Sequence, residues 1–200
     1  MTAKILRNLL LGSLVALASN AAMATTLTFD DIPAGESLVP ASYGGFTWNN
    51  WYVLDGTTRG GGYTNGVVSA NNVAYNGYGS PASFSSGTAF TLNDAFFTAA
   101  WNDGLNVHVV GTGAATYTTD FVVNTTSPTR VFFNWTGLTS VDISTSGGTD
   151  MGLGGSGTHI ALENLTVDET VAVPEPATLA LMSLGLAGAG VFRRKAAKKA

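Results

Sequence analysis

The chain has no cysteine, and only 11% of its 200 residues are charged. Without disulfides, the fold must be held by its hydrophobic core, with or without a bound metal. Positive charge is scarcest in the middle of the chain. Between Thr25 and Val173, Arg59 and Arg130 stand against twelve acidic residues, which leaves that segment at −10. So acidic a segment repels phosphate backbones, which speaks against nucleic acid as a partner. Helical signals are also missing: no window shows a competing 3.6-residue period, and glycine occupies 25 positions.

The remaining seven basic residues mark the two ends. Lys4 and Arg7 precede an apolar stretch from Leu9 to Ala18, followed by the small residues of Ala22-Met23-Ala24. A positive leader, an oily run and a small-residue site make a secretory signal, which predicts cleavage by signal peptidase after Ala24. At the other end, the 16 residues from Ala177 to Phe192 carry no charge. As a helix they would span about 24 Å, short against a hydrocarbon core of roughly 30 Å but within reach if the flanking arginines snorkel. Arg193, Arg194, Lys195, Lys198 and Lys199 would hold the C-terminus on the cytoplasmic side. Pro174 and Pro176 keep the approach to this span extended, in a form that a processing enzyme can thread.

The triplet in Val173-Pro174-Glu175-Pro176, the apolar run 177–192 and Arg193-Arg194 together resemble the PEP-CTERM sorting signal of Gram-negative bacteria. The resemblance implies an exported protein that is transiently anchored in the inner membrane and then handled by an exosortase. Its destination would be the cell surface or an extracellular matrix rich in polysaccharide. The expected organisation is a signal peptide at 1–24, an ectodomain at 25–172 and a sorting segment at 173–200. In that segment 173–176 is the motif, 177–192 a single transmembrane helix and 193–200 a basic tail.

Within the ectodomain, apolar residues recur with period two in short runs bounded by Gly, Asn, Asp and Ser. The runs are 26–29, 45–54, 65–77, 89–92, 95–101, 105–110, 115–123, 129–135, 140–145 and 159–167. Nine or ten strands in a segment of this size predict an all-β domain, an antiparallel two-sheet β-sandwich of jelly-roll type. The runs that begin Leu27-Thr28-Phe29-Asp30-Asp31, Trp101-Asn102-Asp103-Gly104 and Ile160-Ala161-Leu162-Glu163 are similar to those of galactose-binding-like jelly rolls, many of them non-catalytic carbohydrate-binding modules. That likeness implies first and last strands lying side by side, with Asp30, Asp31 and Glu163 placed to share a structural calcium, a hard cation suited to oxygen ligands.

Signals for catalysis are few. His108 and His159 are the only candidates for a general base near neutral pH, and neither adjoins a nucleophile motif. His108 alternates with Val107 and Val109, which puts it on the face opposite those valines. Glu36, Glu163 and Glu169 are the only glutamates of the domain, and nothing marks a carboxylate pair for glycoside hydrolysis. Gly152-Leu153-Gly154-Gly155-Ser156-Gly157 fits a dinucleotide fingerprint in letters, but it precedes a predicted strand instead of opening a helix. The aromatics suggest more. In Trp48-Asn49-Asn50-Trp51 and Tyr75-Asn76-Gly77-Tyr78, flat rings adjoin amides, a pairing suited to stacking on a sugar face while bonding its hydroxyls. Trp48, Trp51, Tyr75 and Tyr78 are therefore candidate carbohydrate contacts, against the alternative that such rings fill the core. The expectation is a non-enzymatic exported β-domain that binds polysaccharide. The alternatives are a purely structural matrix protein and a secreted hydrolase.

Overall fold

The computed structural model describes residues 24–33 and 35–168. The predicted sorting segment and all of the signal segment except Ala24 lie outside these residues, so the expected signal and transmembrane helices are not described. Among the described residues, no helix is long and apolar enough to cross a membrane.

The domain is all-β. Its strands are β1 (Thr25–Leu27), β2 (Ser37–Leu38), β3 (Thr47–Asn49), β4 (Trp51–Asp55), β5 (Asn72–Asn76), β6 (Ala82–Ala99), β7 (Asn102–Gly113), β8 (Thr116–Val123), β9 (Thr129–Asp150) and β10 (Ile160–Val167). Between β4 and β5 lie two short helices, α1 (Gly56–Arg59) and α2 (Gly61–Asn65). Sequence periodicity misses both. Asp55 caps α1 by accepting from the Thr57 amide at 2.9 Å.

The expectation of two separate sheets is corrected. All ten strands belong to one hydrogen-bonded sheet in the order β2-β4-β5-β10-β6-β9-β7-β8, with β1 added on β10 and β3 on β6. Every pairing is antiparallel. The reason lies in β6 and β9. Sequence breakers divide each into two predicted strands, but both run through, over 18 and 22 residues. Irregular register absorbs the breakers between Phe90 and Asp94, opposite the positive φ of Asn134 (52°) and Gly137 (70°). The sheet also curls. β8 pairs only with β7, yet its Tyr117 stacks on Trp135 of β9 at 5.4 Å, and its Phe121 meets Phe97 of β6 at 5.0 Å.

The main core fills the inside of this curl, with Phe29, Trp51, Phe84, Leu92, Phe97, Leu105 and Leu138 buried. A smaller cluster of Leu54, Tyr63, Val73, Tyr75, Ala100, Trp101 and Ala161 sits beside α2. There α2 approaches β6 so closely that a Cβ on Gly62 would stand 1.7 Å from the Ala99 carbonyl oxygen, which leaves room for glycine alone.

Candidate functional site

The smaller aromatic cluster opens into a cavity of about 410 Å³. Its apolar walls are Tyr52, Tyr75, Tyr78 and Trp101, and Glu36, Arg59 and His159 supply the polar groups. Tyr75 is central: its ring stacks on His159 (5.9 Å, 14°) and lies tilted against Tyr52 (5.5 Å). Tyr63 packs edge-on against both Tyr75 and Trp101.

The Tyr63 and Tyr75 hydroxyls both have partners. Tyr75 donates to Glu36 through a short bond, and the Tyr63 hydroxyl lies 2.9 Å from His159 Nδ1. Burial first pushes both phenols up, helped at Tyr75 by the Glu36 hydrogen bond and charge and at Tyr63 by the neighbouring Tyr75, so they stay protonated. His159 goes the other way. Burial and the Arg59 cation lower its pKa, and Glu36 opposes them only in part. The imidazole is therefore held toward its neutral form. Glu36 and Arg59 stand 3.8 Å apart with each side chain about half exposed, 49% and 50%. A pair so wet contributes little to stability, and both groups face solvent as well as each other, with Glu36 also holding the Tyr75 hydroxyl.

Tyr78 is the least conventional of these residues. Its ring is 84% exposed while its backbone sits at φ 58°, a left-handed conformation that a bulky side chain occupies at a cost. Its ring stands edge-on to Tyr52 at 6.3 Å. The glycine run that resembles a nucleotide fingerprint forms the opposite wall. It connects β9 to β10 with no helix after it, and Gly155 lies so flat on the Trp101 indole that a Cβ there would approach Cε2 to 2.4 Å.

The structure thus brings Tyr75 and Tyr78 together, and it separates them from Trp48 and Trp51. Trp51 is 1% exposed and Trp48 half-buried, both in the main core, with ring centres 6.3 Å apart. Alternation along one continuous strand predicts opposite faces for these two rings. Asn50, at φ 57°, breaks the strand between β3 and β4, which turns both tryptophans inward and Tyr52 outward. Tyr63, Trp101, Glu36, Arg59 and His159 were not singled out for this site, because no local pattern joins residues so far apart in sequence. The Asn next to Tyr75 and the Asn-Gly step before Tyr78 are the local signal shared by the two candidate residues that line this cavity.

His108 lies on the exposed face of β7, as its alternation with valines predicts, and pairs with Asp120 at 2.7 Å.

The first and last strands do lie together, with Thr25 opposite Val167. Asp30 and Glu163 converge, but on Ser69. Its hydroxyl oxygen is 2.6 Å from Asp30 Oδ2 and 2.6 Å from Glu163 Oε1. Asp31 turns away to accept the Tyr43 hydroxyl at 2.7 Å. Calcium takes about six to eight oxygen ligands. Here backbone N–H groups of Ala70, Asn71 and Asn72 point into the Asp30 carboxylate. Among the described residues, no three His, Cys, Asp or Glu side chains group as metal ligands. The residues present do not fit a calcium ion.

Comparison with known proteins adds one firm result. Residues 172–195 match the family described as the PEP-CTERM protein-sorting motif. The chain carries an exosortase sorting signal. That signal marks a PEP-CTERM protein as exported and transiently anchored in a membrane, with an exosortase as its processing partner. No curated protein matches the chain. Among the solved structures that match is a carbohydrate-binding module, TmCBM61, in complex with beta-1,4-galactotriose. The identity is 8% and the TM-score 0.36, over 67% of this chain and 98% of that one. A likeness so weak carries no functional weight.

Proposed function

We propose that this PEP-CTERM protein is a non-catalytic glycan-binding domain, delivered to the outer surface or matrix of a Gram-negative cell, with the Tyr78 cavity as its binding site. The observation that carries the reading is the exposed Tyr78 ring, held in a costly backbone conformation at the mouth of an aromatic cavity. A concave apolar site with a few convergent polar groups is the form that small-ligand sites take. Tyr52 and Tyr78 offer ring surface for a pyranose face, while Glu36 accepts and Arg59 donates to its hydroxyls. Glycoside hydrolysis uses two carboxyl groups, and among the described residues Glu36 is the single acid lining this cavity, which supports binding over catalysis.

The test is retention of the full chain, kept in detergent micelles, on immobilised bacterial polysaccharides, with calorimetric titration of any oligosaccharide that retains it. Tyr78→Ala is expected to weaken binding tenfold or more at an unchanged melting temperature. No retention on any glycan, or full affinity in the Tyr78 variant, sinks the reading.

A further inference from the structure

The place where a jelly-roll likeness implies calcium holds something else. We propose that Asp30, Ser69 and Glu163 form a proton clasp, in which one proton carried by Glu163 replaces a cation and pins the segment before β5 to the sheet.

The argument begins with counting. Two carboxyl oxygens each lie 2.6 Å from the Ser69 hydroxyl oxygen, a length typical of O–H···O⁻ and carboxyl bonds. A hydroxyl has one proton, so it can donate to only one of them. The other contact needs its own proton, and only a carboxyl can bring it. Asp30 is the anion. Although burial, the largest single influence, works against it, the Ser69 hydroxyl and the amides of Asn71, Asn72 and Ala70 together hold its pKa below the usual value. Glu163 is the acid. Its side chain is fully buried, and burial pushes its carboxyl up to about 7; the Ser69 hydroxyl and amide and the Val68 amide pull the other way, and the Asp30 charge adds to the rise. The chain of donors therefore runs from the Glu163 O–H to Ser69, and from the Ser69 O–H to Asp30. The Ser69 amide closes the arrangement on Glu163 Oε2 at 3.0 Å.

The groups around Glu163 leave the proton there. On β6 its cross-strand partner is Phe96, and beyond it Arg130 of β9 is engaged by Asp94 at 2.9 and 3.1 Å. The charged side chain acting on Glu163 is Asp30. The clasp also has reach. The connection that it pins runs on to Asn72, whose side chain bonds the Phe29 and Ile32 carbonyls, and it begins with the two helices that carry Arg59 and Tyr63 to the cavity. That last consequence rests on the glycan reading; the clasp itself does not, and its test needs no ligand.

A carboxyl whose pKa is raised on folding adds stability that is complete below its unfolded value. That stability is lost as pH rises through the folded value. Urea unfolding of the full chain in detergent is measured from pH 4.5 to 8, for the parent and for Glu163→Gln, whose amide can still donate to Ser69. The difference between the two isolates Glu163 from His159, whose depressed pKa acts in the opposite sense. The parent's folding constant is expected to fall by about tenfold per pH unit relative to the variant between about pH 4.5 and 7, and to level off above. Parallel profiles overturn the proposal. So does calcium that raises the parent's unfolding midpoint at pH 8, reversibly with a chelator. Should Glu163→Gln fail to fold, Ser69→Ala decides. Amide exchange at Ala70, Asn71 and Asn72 should then lose at least tenfold protection at pH 5, and undiminished protection overturns the clasp.

Discussion

Two aromatic groups in this domain are built from similar residues and do opposite things. In the main core, Phe46, Trp48, Trp51, Phe84 and Phe90 meet mostly edge-on at 4.9–6.3 Å, and their only polar side-chain atoms are two indole N–H groups, of which Trp48 donates to the Tyr43 carbonyl and Trp51 is enclosed without a partner. In the second, Tyr52, Tyr63, Tyr75 and Tyr78 stand around an open space with Trp101 at its base. The difference is the phenol. A hydroxyl that must find a partner keeps one end of the ring near water or near Glu36 and His159, so a tyrosine cluster cannot close completely. Phenylalanine has no such requirement and closes into a core. The lesson is that aromatic count says little about a binding site, and the hydroxyls say more.

That contrast can be broken most severely on the core side. Phe84→Ala should lower unfolding free energy by about 3–5 kcal/mol in urea titrations, because its site is fully enclosed and collapses poorly. A loss below about 1 kcal/mol would mean that the core is as loosely built as the cavity. Next in size is Gly155→Val, which drives a side chain into the Trp101 indole. It should destabilise by about 1–3 kcal/mol and shift tryptophan fluorescence. Unchanged emission would show that the glycine wall does not rest on that ring in solution.

Smaller again is Tyr75→Phe, which removes one hydroxyl and leaves Glu36 half in water. About 0.5–1.5 kcal/mol is expected, read from thermal melts. Smallest is Tyr78→Gly. The exposed ring contributes little to folding and the left-handed backbone suits glycine, so stability should stay within about 0.5 kcal/mol of the parent or rise. A clear drop would make Tyr78 part of the structure and remove the case for it as a ligand contact. Outside the domain, alanines in place of Pro174-Glu175-Pro176 should leave an unprocessed, membrane-retained precursor on immunoblots, and normal release would contradict the sorting signal.

The strand content of the fold was legible because period-two alternation is local: Leu105, Val107 and Val109 alternate inward against Asn106 and His108 as their spacing requires. Sheet continuity was not. Asn93-Asp94 and Gly137 look like strand ends, but a partner strand with an irregular register carries β6 and β9 past them. Of the four candidate rings, two line the cavity: Tyr75 adjoins Asn76, and Tyr78 follows the Asn76-Gly77 step. Trp48 and Trp51 share that signature and lie inside, since one left-handed residue, Asn50, resets which face each ring takes.

The sequence by itself determined the sorting motif and the class of fold. A sorting signal is read as a linear string by a processing enzyme, and alternation is a property of neighbours. Only the tertiary structure decided that the strands make one curled sheet, that Glu36, Arg59, Tyr78 and His159 share a cavity, and that Asp30 and Glu163 meet on a serine. The last of these joins Ser69 to residues 39 and 94 positions away along the chain. Such juxtapositions are created when long strands pair and the sheet closes over its core, and no short window of the chain contains them.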